Sequence, residues 1–78
     1  MIYLLIDNSN TRTKFCLADE HHLLDHSTWI PTSEISLESL QRVTDGMIFD
    51  ATLICSVVPA KAAILRDFFT PLGPFHQV

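Results

Sequence analysis

The sequence predicts an α/β fold built on a mixed sheet: three strands, a helix, a strand, a helix and the start of a further strand. Two runs, Ile2 to Ile6 and Thr52 to Val58, are apolar at nearly every position, the pattern of central strands covered on both faces. Between them lie β-forming segments separated by short polar turns. Two later stretches carry apolar residues at helical spacing.

Ile2 to Ile6 leads into a polar turn at Asn8 to Asn10. Thr11 to Ala18 is rich in β-branched and aromatic residues and is expected to return antiparallel to the first strand. Asp19 to His22 marks the next reversal, and Leu23 to Ile30 reads as a third strand ended by Pro31, which cannot donate to a ladder. These three strands form an antiparallel meander. Thr32 to Ser36 offers hydroxyls for a helix N-cap, followed by a stripe of Ile35, Leu37, Leu40 and Val43, and Asp45-Gly46 closes the helix. Met47 to Ala51 is a connection without a clear pattern.

Thr52 to Val58 belongs beside the first strand in the middle of the sheet. Pro59 suits the first position of a helix, where its missing N–H costs nothing. That helix runs through Lys61 to Phe69, with Phe68 and Phe69 expected in the core, and Pro71, Gly73 and Pro74 stop it. Phe75 to Val78 begins another strand. Strands joined through helices imply parallel pairing with right-handed connections, and the helices are expected to cover the faces of the sheet.

The 78 residues are enough for one small domain, in which about 60% of the unfolded surface is buried. With 47% apolar and 18% charged residues the chain is too hydrophobic for disorder. Net charge is −4, and the five basic residues are scattered, which disfavours broad binding to nucleic acid or anionic lipid. The apolar runs are too short to span a bilayer and the first residues lack the marks of a signal peptide, so a cytoplasmic protein is expected. Cys16 and Cys55, both within strands, read as buried, reduced hydrophobes.

Chemistry concentrates at Asp7-Asn8-Ser9-Asn10-Thr11. A carboxylate at a strand end can hold a divalent cation, while hydroxyls and backbone N–H groups in the following turn can receive phosphate oxygens. Lys14 can neutralise a phosphoryl group. An Asx-turn satisfying only local backbone groups, with Lys14 solvated, explains the same residues.

The run Ile6 to Phe15 resembles the first phosphate motif of the type III pantothenate kinases, Asp-x-Gly-Asn-Thr with a following lysine. Cys55-Ser56-Val57-Val58-Pro59 resembles that family's Ser-Val-Val-Pro segment, and Trp29-Ile30-Pro31-Thr32 its exit from the third strand. The resemblance spans essentially the whole chain but only the first part of the family's. It implies a ribonuclease H-like sheet of the acetate and sugar kinase, Hsc70 and actin superfamily. It also implies ATP-dependent phosphorylation of pantothenate, the first step of coenzyme A synthesis, by a homodimer using Mg²⁺ and a monovalent cation, K⁺ or NH₄⁺. By position, Asp7 would serve the metal and phosphates, Asn8, Ser9, Asn10 and Thr11 would line the phosphate loop, and Lys14 would lie near the transferring group. Ser56, Val57 and Pro59 would lie at a nucleotide or subunit contact, or form only a tight strand-to-helix turn.

Ser9 stands where the family has glycine, which is expected to disturb the loop if it requires positive φ. The family's Gly-x-Asp-Arg substrate motif and second domain have no counterpart here. Residues 1–78 are thus expected to be the N-terminal part of an actin-like ATPase-type domain, inactive alone. The alternative is a non-catalytic ribonuclease H-like module for protein association. Two further features have bland readings. His22 and His26 have helical metal-pair spacing, but on a strand they would lie about 13 Å apart at ~3.3 Å per residue, leaving a solvated hairpin with Asp19, Glu20, His21 and Asp25. Trp29 reads as core or interface before ligand platform.

Overall fold

The computed structural model describes residues 1–78, except that the side chains of Asp25 and His26 lie outside the described residues. The reading of His22 and His26 as part of a solvated hairpin therefore falls partly outside them. In chain order the elements are β1 (Tyr3–Asn8), β2 (Arg12–Ala18), β3 (Leu23–Pro31), a 3₁₀ turn (Thr32–Glu34), α1 (Leu37–Thr44), β4 (Ala51–Ser56), α2 (Pro59–Phe69), a second 3₁₀ turn (Thr70–Leu72) and β5 (Phe75–Gln77).

The sheet has five strands in the order β3-β2-β1-β4-β5. β1, β2 and β3 form the expected antiparallel meander, while β4 lies parallel to β1 and β5 parallel to β4. The first strand runs two residues beyond the apolar run, so Asp7 and Asn8 are strand residues and the turn is confined to Ser9, Asn10 and Thr11. β4 ends at Ser56, short of the expected Val58, because the chain turns there into α2.

Local chemistry fixes the helix ends. Ser36 and Ser39 form a reciprocal capping box: Ser36 Oγ accepts from the Ser39 N–H at 3.1 Å, and Ser39 Oγ accepts from the Ser36 N–H at 2.9 Å. Gly46, at φ +80°, follows the α1 cap in the left-handed region where glycine is favoured. Pro59 is the first residue of α2, as the sequence predicts.

Both helices pack on one face of the sheet. Leu4, Ile6, Phe15 and Ile54 form the core with Ile35 and Leu40 from the α1 region and Leu65 and Phe69 from α2. Phe69 is buried and Phe68 packs against that cluster. The expectation that helices would cover both faces is therefore corrected. Each crossover, β3 to β4 and β4 to β5, advances in the same direction across the sheet. Connections of one hand then deliver both helices to the same side.

The opposite face is open. β1 alternates between buried Leu4, Ile6 and Asn8 and more accessible Tyr3, Leu5 and Asp7. A shallow trough of about 470 Å³ lies on this side, lined by residues that include Leu5, Leu53, Cys16 and Cys55. Cys55 is exposed and Cys16 half-buried, so the two thiols are not the buried pair expected; both are free. An apolar neighbourhood in sequence did not specify which face each cysteine occupies.

Candidate functional site: the β1–β2 hairpin

The parallel register places Asn8 opposite Ser56, so the polar end of β1 and the end of β4 are immediate neighbours. The Val57 N–H donates to the Asn8 carbonyl at 3.1 Å and extends this pairing by one step. In sheets of this kind ligands are taken in the crevice beyond the carboxyl ends of the parallel strands.

Below the hairpin lies a buried polar relay. Asn8 is 1% exposed; its Oδ1 accepts from Ser56 Oγ at 2.6 Å and its Nδ2 donates to Thr13 Oγ1 at 2.9 Å. Thr13 Oγ1 and Thr32 Oγ1 are 2.9 Å apart, and Thr32 Oγ1 donates to the Ser9 carbonyl. Because Thr32 uses its proton on Ser9, Thr13 must donate to Thr32 and accept from Asn8, which fixes the orientation of the Asn8 amide. The Thr32 N–H also donates to the Thr11 carbonyl at 3.0 Å. The Asn8 side chain thus works inside the fold and holds the loop, and the parts of Thr13 and Thr32 in it were not legible before the strands were paired.

The loop itself needs no positive φ: no non-glycine residue among those described adopts one, so Ser9 replaces glycine without backbone strain. Its hydroxyl donates to Asp7 Oδ1 at 3.0 Å, and its N–H donates to the Arg12 carbonyl at 3.2 Å. Among the described hydrogen bonds, the N–H groups of Asn10 and Thr11 serve no acceptor. Both residues are exposed.

On the open face, Asp7 is opposite Lys14 in the antiparallel register and opposite Cys55 in the parallel one. Lys14 in turn pairs with Trp29 on β3. One row across the sheet therefore carries indole, ammonium, carboxylate and thiol. Trp29 is 50% exposed, and the Arg12 guanidinium lies 4.6 Å from its ring centroid. Of the two expectations for Trp29, core or interface, core burial is corrected: it stands on the uncovered side.

Ser56 Oγ also accepts from the Val58 N–H at 3.1 Å, so the strand-to-helix turn has its own local bonding. Val57 and Pro59 are exposed at the start of α2. At the opposite hairpin, Asp19 Oδ1 accepts from the N–H groups of His21 and His22 at 2.8 and 2.9 Å. Among the described residues no group of three or more His, Cys, Asp or Glu side chains could enclose a metal. No helix there is long and apolar enough to cross a membrane.

The topology, with a polar loop at the end of its central parallel pair, makes the chain a mixed α/β sheet covered by helices on one face. Its sequence matches type III pantothenate kinases in particular. The protein of that name from Akkermansia muciniphila is 50% identical over 76 residues, covering 97% of this chain and 31% of the relative. The one from Methylacidiphilum infernorum is 35% identical over 75 residues, 96% of this chain and 27% of the relative. The chain thus spans about a third or less of the length of these curated relatives. No protein-family model matches. The similarity inferred from the short motifs thus extends over nearly the whole chain.

Proposed function

We propose that the chain supplies the phosphate-binding hairpin for ATP-dependent phosphorylation of pantothenate. The fold is read as the ribonuclease H-like sheet of an actin-type ATPase domain, acting in a larger catalytic unit. What carries this reading is the row Asp7-Lys14 beside an exposed loop in which, among the described hydrogen bonds, the N–H groups of Asn10 and Thr11 serve no acceptor, in a chain matched along its length by proteins named for that activity.

Phosphoryl transfer depends on positioning and charge neutralisation. The N–H groups of Asn10 and Thr11 receive phosphate oxygens, and Lys14 neutralises charge on the transferring group. Asp7 has one carboxylate oxygen engaged by Ser9, leaving the other to face a cation or its water. A single carboxylate fits Mg²⁺, which keeps several waters and shares phosphate oxygens instead of requiring a complete protein cage. Asp7 would hold Mg²⁺, directly or through water, and the cation would supply positive charge to offset that of the phosphates. The reading also includes a homodimer, a monovalent cation and a cytoplasmic location.

The test is ADP release requiring both ATP and pantothenate, measured on the product of the full reading frame containing this sequence. Asp7→Asn is expected to lower turnover by at least 100-fold, since a single charge-stabilising group is worth about 10²–10³. Undiminished turnover would remove Asp7 from the role, and ADP release indifferent to pantothenate would remove the substrate. A second reading, a protein-association module, is favoured by the open apolar face around Leu5 and Leu53. It gains if the chain fails to bind Mg²⁺-ATP at millimolar concentration.

A further inference from the structure

The pairing of Arg12 with Trp29 is left unexplained by the assigned roles of the hairpin. Arg12 is exposed, yet its guanidinium is laid against an indole that is itself half-exposed. A guanidinium over an aromatic face keeps N–H donors at its own edge, and these can bind a planar pair of oxygens. Among the described residues, no ion pair joins Arg12 or Lys14 to a carboxylate.

Register places this pair at the phosphate loop. Arg12 is the first residue of β2, immediately after Thr11, and shares the open face with Lys14 two positions on. Trp29 is the residue opposite Lys14, and Asp7 lies across from Lys14 on the other side. Two of the chain's five basic residues therefore flank one carboxylate, in a chain whose net charge is −4. Among Asp7, Arg12 and Lys14 the positive charges outnumber the negative.

We propose that Arg12, placed over the Trp29 ring, is a second cation of the phosphate site and binds the polyphosphate portion of the nucleotide alongside Lys14. The ligand class is a nucleoside or inorganic polyphosphate, whose adjacent anionic groups can occupy both cations. Arg12 contacts the ligand through charge-assisted hydrogen bonds, and Trp29 is a positioning residue acting through Arg12. This rests on the reading of the hairpin as a phosphate site.

The experiment is titration of the 78-residue chain with inorganic tripolyphosphate and with ATP, by calorimetry and by fluorescence of Trp29, its sole tryptophan. Arg12→Ala is expected to weaken tripolyphosphate binding about tenfold, equivalent to ~1.4 kcal/mol. Arg12→Lys should recover only part of this, because charge returns without the planar fork. Trp29→Ala should weaken binding while Trp29→Phe largely restores it, with thermal midpoints used to separate binding from folding. Unchanged affinity in Arg12→Ala, alongside loss in Lys14→Ala, would overturn the role of Arg12 and leave the phosphate hairpin standing. Full rescue by Arg12→Lys would overturn the stacked-fork geometry. Failure of the unmodified chain to bind either polyphosphate would overturn both the proposal and the hairpin reading beneath it.

Discussion

The two faces of the sheet are made from the same strands but follow different rules. On the helix-covered face, Leu4, Phe15 and Leu65 are fully buried, and even the polar groups Asn8 and Thr13 are sealed into hydrogen bonds. On the open face, the neighbouring residues Leu5, Asp7, Lys14 and Cys55 border a trough. Since side chains alternate along a strand, one residue step separates a group whose loss affects folding from one available to a ligand or partner.

The strongest way to break this comparison is to truncate adjacent leucines. Leu4→Ala is expected to destabilise by about 3 kcal/mol through lost burial and a residual cavity, whereas Leu5→Ala should cost about 1 kcal/mol or less. Urea unfolding of the two variants measures the contrast, and equal losses would show that the open face is packed after all.

Next in size is Asn8→Ala, which deprives the Thr13 and Ser56 hydroxyls of their buried partner. A loss of about 2 kcal/mol is expected. Thermal or urea unfolding reads that loss, and a weaker polyphosphate affinity would show that the relay also shapes the loop. Asp7→Asn, one position away, should leave stability within about 0.5 kcal/mol.

A smaller perturbation probes access directly. A maleimide should label Cys55 in the folded chain faster than Cys16, in keeping with their exposed and half-buried states. Mass spectrometry of early time points resolves the two, and protection of both would indicate that something covers the open face.

The least effect is expected at Asp19, remote from the comparison and useful as its baseline. Hydrogen bonds from the backbone N–H groups of His21 and then His22 hold its carboxyl below the usual carboxylate range. A folded-state value below the unfolded one contributes stability that is present above the unfolded value and lost as pH falls through the folded value. NMR titration should therefore place the Asp19 midpoint below that of Asp19 in the urea-unfolded chain.

Much of the fold was legible because local signals agreed. The hydroxyls before Leu37, Pro59 at a helix start and glycine after Asp45 all appear in the expected roles. What the unbroken apolar runs could not convey was which segment covers which face; hydrophobicity records the demand for burial and not its supplier. The same limitation misassigned Cys55. At the site, the hairpin residues could be read from type and order, but the buried partner that satisfies the inward Asn8 amide, Ser56, is 48 positions away. Trp29 was read as core or interface from its usual preferences, and only the register with Lys14 reveals its surroundings.

The relay from Ser56 through Asn8, Thr13 and Thr32 to the Ser9 carbonyl has a consequence for the thermodynamics of association. A free three-residue turn would have to be ordered by whatever it binds, at about 1–2 kcal/mol of backbone entropy for each residue fixed. Here the turn is tied down during folding by its own carbonyls, at Ser9 and Thr11. On the proposed reading of the hairpin as a phosphate site, an incoming anion would meet a preorganised loop, and more of its interaction energy would remain available as affinity.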